Sequence, residues 1–479
     1  MIRLISAKIM IFCFSCILAS AQSDGKFSVA ELKQDIIYLK NTMEVSNYNF
    51  YALSSEARMD NVFSNIISCI DDSISSLEAY RLFQPYVALA GMSHCYIEYP
   101  WKEYSAEAIQ KGGKLFPLRL YFENGKVLIR ANFTQNTLIE KGDEILSVNG
   151  EPVNHLLNRM HNYISGPTKY FKNSQIEQRE FTRFYWFFFG DKPSFTLQIR
   201  KKSGEQQYLT IKAISGREFE EQMRTQASML RLKREFYVED KLAYLKPGHF
   251  LNDIPFDPEN PALFDNTEFC HFIDSAFSHF NNMKATSLII DLRYNPGGDN
   301  SFSDYMISYF ADRAFCFNSK FTIKTSQVTK DAWKEIDAPE HQELKKKIMS
   351  LESGTYFEAP LLEVSPLPDS LRFKGRVYVL INRYSYSNTA SVAATIQDYD
   401  FGSIVGEETA EIVSSYGAVH NFRLPNTGLN VIFPKALGVR PNGDASQRGV
   451  IPDYPVDENI LTDKDEVLEF TLEMINKVN

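Results

Sequence analysis

VYVLINRYSYSNTASVAATIQDYDFGSIVG, residues 377–406, is the stretch on which the reading of the fold turns. Val377 to Ile381 is an apolar, β-branched run of the kind that forms a buried strand. A polar turn follows with three hydroxyls, Ser385, Ser387 and Thr389, and Thr389 to Gln397 then carries a helical pattern. Ile404 and Val405 make a second apolar run that Gly406 closes. Strand, turn, helix and strand form a βαβ step, and open α/β folds collect their ligands at the carboxyl ends of strands, where this turn falls. A serine there lies beside unpaired helix N-terminal amides, which favour developing negative charge. Ser387 is the candidate nucleophile. Helix capping by Ser385 or Ser387 is the competing explanation, and for an isolated serine before a helix it is the commoner one.

Upstream, the apolar run Ser287 to Leu292 enters Arg293-Tyr294-Asn295-Pro296-Gly297-Gly298-Asp299-Asn300. Paired glycines permit a tight turn or a close backbone approach, and Phe302 to Phe310 reads as a helix. Neither a Gly-x-Gly-x-x-Gly nor a Lys-Ser/Thr ending is present, so this is no phosphate-binding fingerprint. The functional reading is an oxyanion site built from the Gly297 or Gly298 amide, and the plain one is a strand-to-helix turn. Gly91-Met92-Ser93-His94-Cys95-Tyr96 closes a helical region, and His94 is the candidate general base because neutral imidazole has a suitable intrinsic pKa. Ser93 is placed to orient it or to cap a turn.

The remaining chain divides by pattern. Residues 28 to 92 look mainly helical, with Val29, Leu32, Ile36, Ile37 and Leu39 on one apolar face. From Phe116 to Ala213 the pattern changes to short strands, at Leu118 to Phe122, Lys126 to Ile129 and Phe195 to Arg200, with a helix beginning at Pro152. A groove between a strand and a helix there suits an extended peptide added by β-augmentation. Glu218 to Glu239 reads as a charged helical connector, and Leu242 to Leu245 starts the larger α/β region. Lys320 to Phe357 reads as a surface excursion with helices at Lys330 to Ile336 and His341 to Ser350, and Asp465 to Ile475 as a closing helix.

A chain of 479 residues suits about two to four domains. With 51 basic against 60 acidic residues there is no excess to neutralise phosphates, which argues against a nucleic-acid partner. Met1 to Ala21 has a basic start, an apolar centre and an Ala-Ser-Ala end, so a secretory signal peptide and a periplasmic or extracellular location are expected. Cys13-Phe14-Ser15 before Cys16 is a poor lipobox, and no later segment is long and apolar enough to predict a membrane span. Cys69, Cys95, Cys270 and Cys316 remain beyond the leader. They hold no Cys-x-x-Cys pair, and no His-Glu-x-x-His occurs, so neither a metal site nor a redox dithiol is indicated. A Cys270–Cys316 disulfide is left open, as is oligomer formation.

Taken in order, Ser93-His94, Lys141 to Gly150, Asp291 to Gly298, Asn382 to Thr409 and Gly449 to Asp453 resemble the S41 serine peptidases, the family of tail-specific processing proteases and tricorn. The resemblance spans most of residues 90 to 456. It implies a multidomain α/β protein whose peptidase core is a ClpP/crotonase-like spiral. Its expected parts are a helical N-terminal domain at 22–112, a PDZ-like β domain at 113–215 and a catalytic domain at 216–479. In the family, the middle serine of a serine-rich turn is the nucleophile, which falls here on Ser387 within Ser385-Tyr386-Ser387-Asn388-Thr389. The processing proteases place a general-base lysine where this chain has Ile412, which accepts no proton. The tricorn-like branch uses a Ser-His pair instead, and Ser93-His94 resembles it. Its orienting acid precedes the Gly-Val-x-Pro-Asp segment; position 446 is serine here, so Asp444 is the preferred acid, with Glu411, Glu407 and Glu408 as alternatives.

The resemblance implies a cofactor-independent serine endopeptidase that takes peptides or unfolded polypeptides. Gly297 or Gly298, together with Asn388, would supply the oxyanion amides. A peptide-binding protein on a degenerate scaffold is the alternative that Ile412 motivates. A serine esterase or amidase is the second, though no Gly-x-Ser-x-Gly elbow is present.

Overall fold

The computed structural model describes residues 25–227, 233–254, 260–334 and 342–478. The leader expected at 1–21 lies outside them, as do residues 335–336 and 341 of the two helices expected in the 320–357 segment.

The central sheet contains the strands read from the apolar runs. Leu242–Lys246, Ser287–Asp291, Arg376–Ile381, Ser403–Gly406 and Tyr454–Pro455 run parallel in that order, and Glu235–Glu239 is antiparallel on the outer edge. Alternation along these strands serves two covered faces. Leu288, Ile290, Val377, Val379 and Ile381 pack with the helices Thr267–Asn282, Asn300–Ser308 and Asn388–Asp398. Ile289, Tyr378, Leu380 and Val405 pack on the other side against Glu466–Val478. Burial on both faces is why the strands read as unbroken apolar runs. Glu235–Glu239 corrects the expected connector: the helix Gly216–Ala227 covers only its beginning, and its end is this edge strand, polar because its outer face is wet.

The antiparallel module is built from Leu118–Glu123, Lys126–Asn132, Glu144–Val148, Ser194–Arg200 and Gln206–Lys212, with the helix Val153–His161 beside it. Two further helices, Lys169–Gln178 and Phe181–Phe189, lie within it. It shares one apolar core with the N-terminal helices Val29–Ser46, Glu56–Cys69 and Ser76–Ala88.

A third sheet joins the ends of the chain. Asn430–Val439 pairs with Tyr416–Arg423, with Lys320–Lys324 and with the short strand Tyr96–Ile97, so the segment bearing His94 is tied to the peptidase core across the sequence. All four described cysteines are free thiols, and the Cys270–Cys316 pairing is not formed. Among the described residues no helix is long and apolar enough to cross a membrane.

Candidate active site

The site begins where Arg376–Ile381 leaves the sheet. Its turn is stitched to the neighbouring loop. Ser385 Oγ donates to Leu292 O at 2.9 Å and accepts from the Asn382 amide at 3.1 Å, while the Tyr386 amide donates to Asn295 O at 3.0 Å. Ser385 is wholly buried and engaged in both directions, so its role is to fix the turn.

Ser387, two residues on, differs in each respect. It occupies the N-cap position of Asn388–Asp398, yet its side chain makes no capping hydrogen bond. Its φ of 54° and ψ of −127° lie in a region that costs an L-residue roughly 1 to 3 kcal/mol. Capping, the competing explanation for this serine, is absent.

The glycine loop explains how the turn is held. A Cβ on Gly297 would stand 2.7 Å from Tyr386 O, 2.8 Å from the Asn388 nitrogen and 2.9 Å from Ser387 Cβ, so glycine is required for the loop to lie against the nucleophile turn. The Gly297 amide already donates to Asn295 Oδ1 at 3.0 Å, which removes it as an oxyanion donor. Gly298 and Asn388 both line the cavity that holds Ser387. Asn388 Nδ2 donates to Ser303 Oγ at 2.9 Å and to Asp299 O at 3.3 Å, bracing the turn to the next helix.

That cavity, about 440 Å³, is also lined by His94, Glu411 and Ile412. His94 Nδ1 lies 3.3 Å from Tyr386 Oη, whose hydroxyl donates to Ser93 O, also at 3.3 Å. Burial, reinforced by the charge of Arg179, pulls His94 down to about 4, so its ring is neutral near pH 7. Ser93 Oγ donates to Glu411 Oε1 at 2.7 Å. Burial pushes Glu411 up to about 8 against the lowering effect of that bond, and its Oε2 is buried with no partner.

The other acids stand elsewhere. Asp444 is exposed, and its carboxylate accepts from the Ser446 amide at 2.8 Å and from Ser446 Oγ at 3.0 Å, bonds that hold it below the usual carboxylate range. It has no hydrogen bond to Ser93 or His94, which corrects the preference for it: linear spacing selected Asp444, whereas the fold brings Glu411 to Ser93. Glu407 pairs with Arg383, whose Nε lies 2.8 Å from Oε1, and Glu408 pairs with Arg448 at 2.6 Å. Arg383 also donates to Phe122 O at 2.7 Å and pairs with Glu177, so the antiparallel module is clamped to the turn four residues before Ser387. The sequence reading gave Tyr386 no part in catalysis. Its adjacency to Ser387 was the available signal, but its reach to His94 is made by the fold.

A nucleophile-type serine on a strand–turn–helix, a histidine in the same cavity and an antiparallel module clamped alongside define a serine-type peptidase of multidomain α/β architecture. The model of peptidase family S41 matches residues 265–456 and that of the PDZ domain matches residues 113–223, so the chain carries a PDZ domain followed by an S41 peptidase domain. No curated protein matches it. Among solved structures it is similar to mature CPAF complexed with lactacystin, at 18% identity and a TM-score of 0.63, over 94% of this chain and 97% of that one. Mature CPAF alone gives 18% identity and a TM-score of 0.61, over 94% and 96% of the two chains. At this identity the likeness is one of fold.

Proposed function

We propose that the protein is an exported serine endopeptidase that cleaves polypeptides through acylation of Ser387, with His94 as general base. The observation that carries this is the uncapped, strained Ser387 lining the same cavity as His94. A single hydroxyl proton on Tyr386 serves one acceptor. Donated to Ser93 O, it leaves Tyr386 Oη to accept from His94 Nδ1–H, and Nε2 then keeps the lone pair that base catalysis needs. Tyr386 thus positions the ring as a carboxylate does in other triads. Glu411 acts one step further away, holding Ser93.

In the reaction, His94 Nε2 takes the Ser387 proton as Oγ bonds to the peptide carbonyl carbon. The amides of Gly298 and Asn388 receive the oxyanion; in a well-studied protease one such donor contributes about 3 to 4 kcal/mol. Collapse breaks the C–N bond, and the imidazolium gives its proton to the leaving amine. Water then attacks the acyl ester, passing a proton through His94 back to Ser387 Oγ. The groove beside the hairpin at 118–132, about 720 Å³ and lined by Phe122, Leu157 and Arg383, offers an extended polypeptide a place next to the catalytic turn.

The test is to incubate an unfolded polypeptide with the wild-type protein and with Ser387→Ala. Cleavage is expected to fall by roughly 10⁴ to 10⁶ in the variant. Equal cleavage by both rejects this nucleophile.

A further inference from the structure

A second cavity, about 260 Å³, opens beside the catalytic one and shares Asn300, Phe317, Asn318 and Phe321 with it. Its walls are largely apolar, through Leu344, Leu361 and Leu362, and Asp304 stands among them. Asp304 belongs to Asn300–Ser308, the helix whose first turn is bonded to Asn388 immediately after the nucleophile. The cavity is therefore fixed relative to Ser387.

The carboxyl of Asp304 has no internal role. Its Oδ1 is buried without a hydrogen-bond partner, and among the described residues neither Asp304 nor nearby Asp299 forms an ion pair. Burial first, and the charge of Asp299 second, push its carboxyl up to about 7. A hydrocarbon side chain filling this cavity would leave the acid buried and unpaired, which is costly. A long stem ending in a cation fits both features, the apolar wall and the unanswered carboxyl. The adjacent Asp299 favours a cation over a neutral donor.

We propose that this cavity is the subsite that receives a lysine or arginine side chain of the substrate, with Asp304 as its recognition residue. The inference rests on the peptidase reading, and it assigns the substrate class of that same site. Once such a side chain is bound, its ammonium or guanidinium gives Asp304 the partner that the fold withholds, and the shared rim residues carry the backbone into the catalytic cavity.

The experiment uses the full chain and a set of quenched fluorescent peptides in which each residue flanking the scissile bond is in turn lysine, arginine, norleucine or glutamine. Wild type is expected to prefer lysine or arginine over norleucine at one position by roughly 10- to 100-fold in kcat/KM. Asp304→Asn is expected to bring that ratio to within about threefold, with the fold retained by circular dichroism. Norleucine equal to or better than lysine at every position in wild type overturns the proposal, as does a ratio that Asp304→Asn does not change. The same peptides are titrated onto Ser387→Ala by fluorescence anisotropy. A lysine preference in binding, removed by adding Asp304→Asn, supports the subsite even where no turnover is found, and its absence there rejects it. Failure of the subsite is thereby separated from failure of the nucleophile.

Discussion

The turn at 382–389 and the segment at 407–412 leave the carboxyl ends of two adjacent parallel strands, and each distributes polar residues between structure and the cavity by a different rule. In the turn the sorting is geometric. Ser385 is buried and doubly hydrogen-bonded, whereas Ser387 stands in a strained conformation with its hydroxyl unused for capping. In the second segment the sorting is electrostatic. Glu407 and Glu408 each meet an arginine, whereas Glu411 meets only the Ser93 hydroxyl and is left with one buried, unpartnered oxygen. In both places the candidate functional group is the one that the fold leaves incompletely engaged.

The largest effect that would break this comparison is at the base. His94→Gln is expected to lower kcat/KM by about 10³-fold or more, and Tyr386→Phe by roughly tenfold, the worth of one hydrogen bond of about 1 to 1.5 kcal/mol. Because His94 is pulled down to about 4, the acid limb of kcat/KM is expected well below the ordinary histidine value of about 6.5, and Tyr386→Phe shifts that limb. A limb at the ordinary value in both proteins would remove His94 from the buried role described. Next in size, Gly297→Ala places a methyl against Tyr386 O and the Asn388 nitrogen, and kcat is expected to drop roughly 10²-fold with the fold retained by circular dichroism. Unchanged kcat would show that the glycine loop does not hold the turn.

The smallest effects separate the acids. Glu411 has its folded-state value raised from the ordinary carboxylate range to about 8, so the stability it contributes is fully present below about 4.5 and is lost as pH rises toward 8. Glu411→Gln keeps an acceptor for Ser93 without that penalty, and its Tm is expected to exceed that of wild type at pH 8 to 9 and to match it near pH 4.5. Asp444→Asn, on an exposed turn, is expected to leave kcat/KM within about twofold. A large loss in Asp444→Asn would restore it as the orienting acid.

Much of the fold was legible because the parallel strands are buried on two faces and keep an unbroken apolar signal, and because Gly297-Gly298 and the hydroxyl turn sit at strand ends. Glu235–Glu239 was missed because an exposed edge strand carries charge and resembles a connector. Phe181–Phe189 was not read as a helix from the sequence; its aromatic side chains are buried against Phe116, Tyr99 and Phe195. The choice among Asp444, Glu411, Glu407 and Glu408 was not legible for a different reason. Ser93 and Glu411 are 318 positions apart, and the third sheet, pairing Tyr96–Ile97 with Asn430–Val439, brings the His94 segment to the core. Spacing along the chain holds no record of that contact.

The central claim, that Ser387 is a nucleophile activated by His94, is tested most directly by covalent labelling. The wild-type protein, Ser387→Ala and His94→Gln are each exposed to a fluorophosphonate, and the adduct is located by peptide mass mapping. One adduct on Ser387 in wild type, none in Ser387→Ala and a strongly slowed reaction in His94→Gln is the predicted result. Labelling at another serine, or at an undiminished rate without His94, would contradict it.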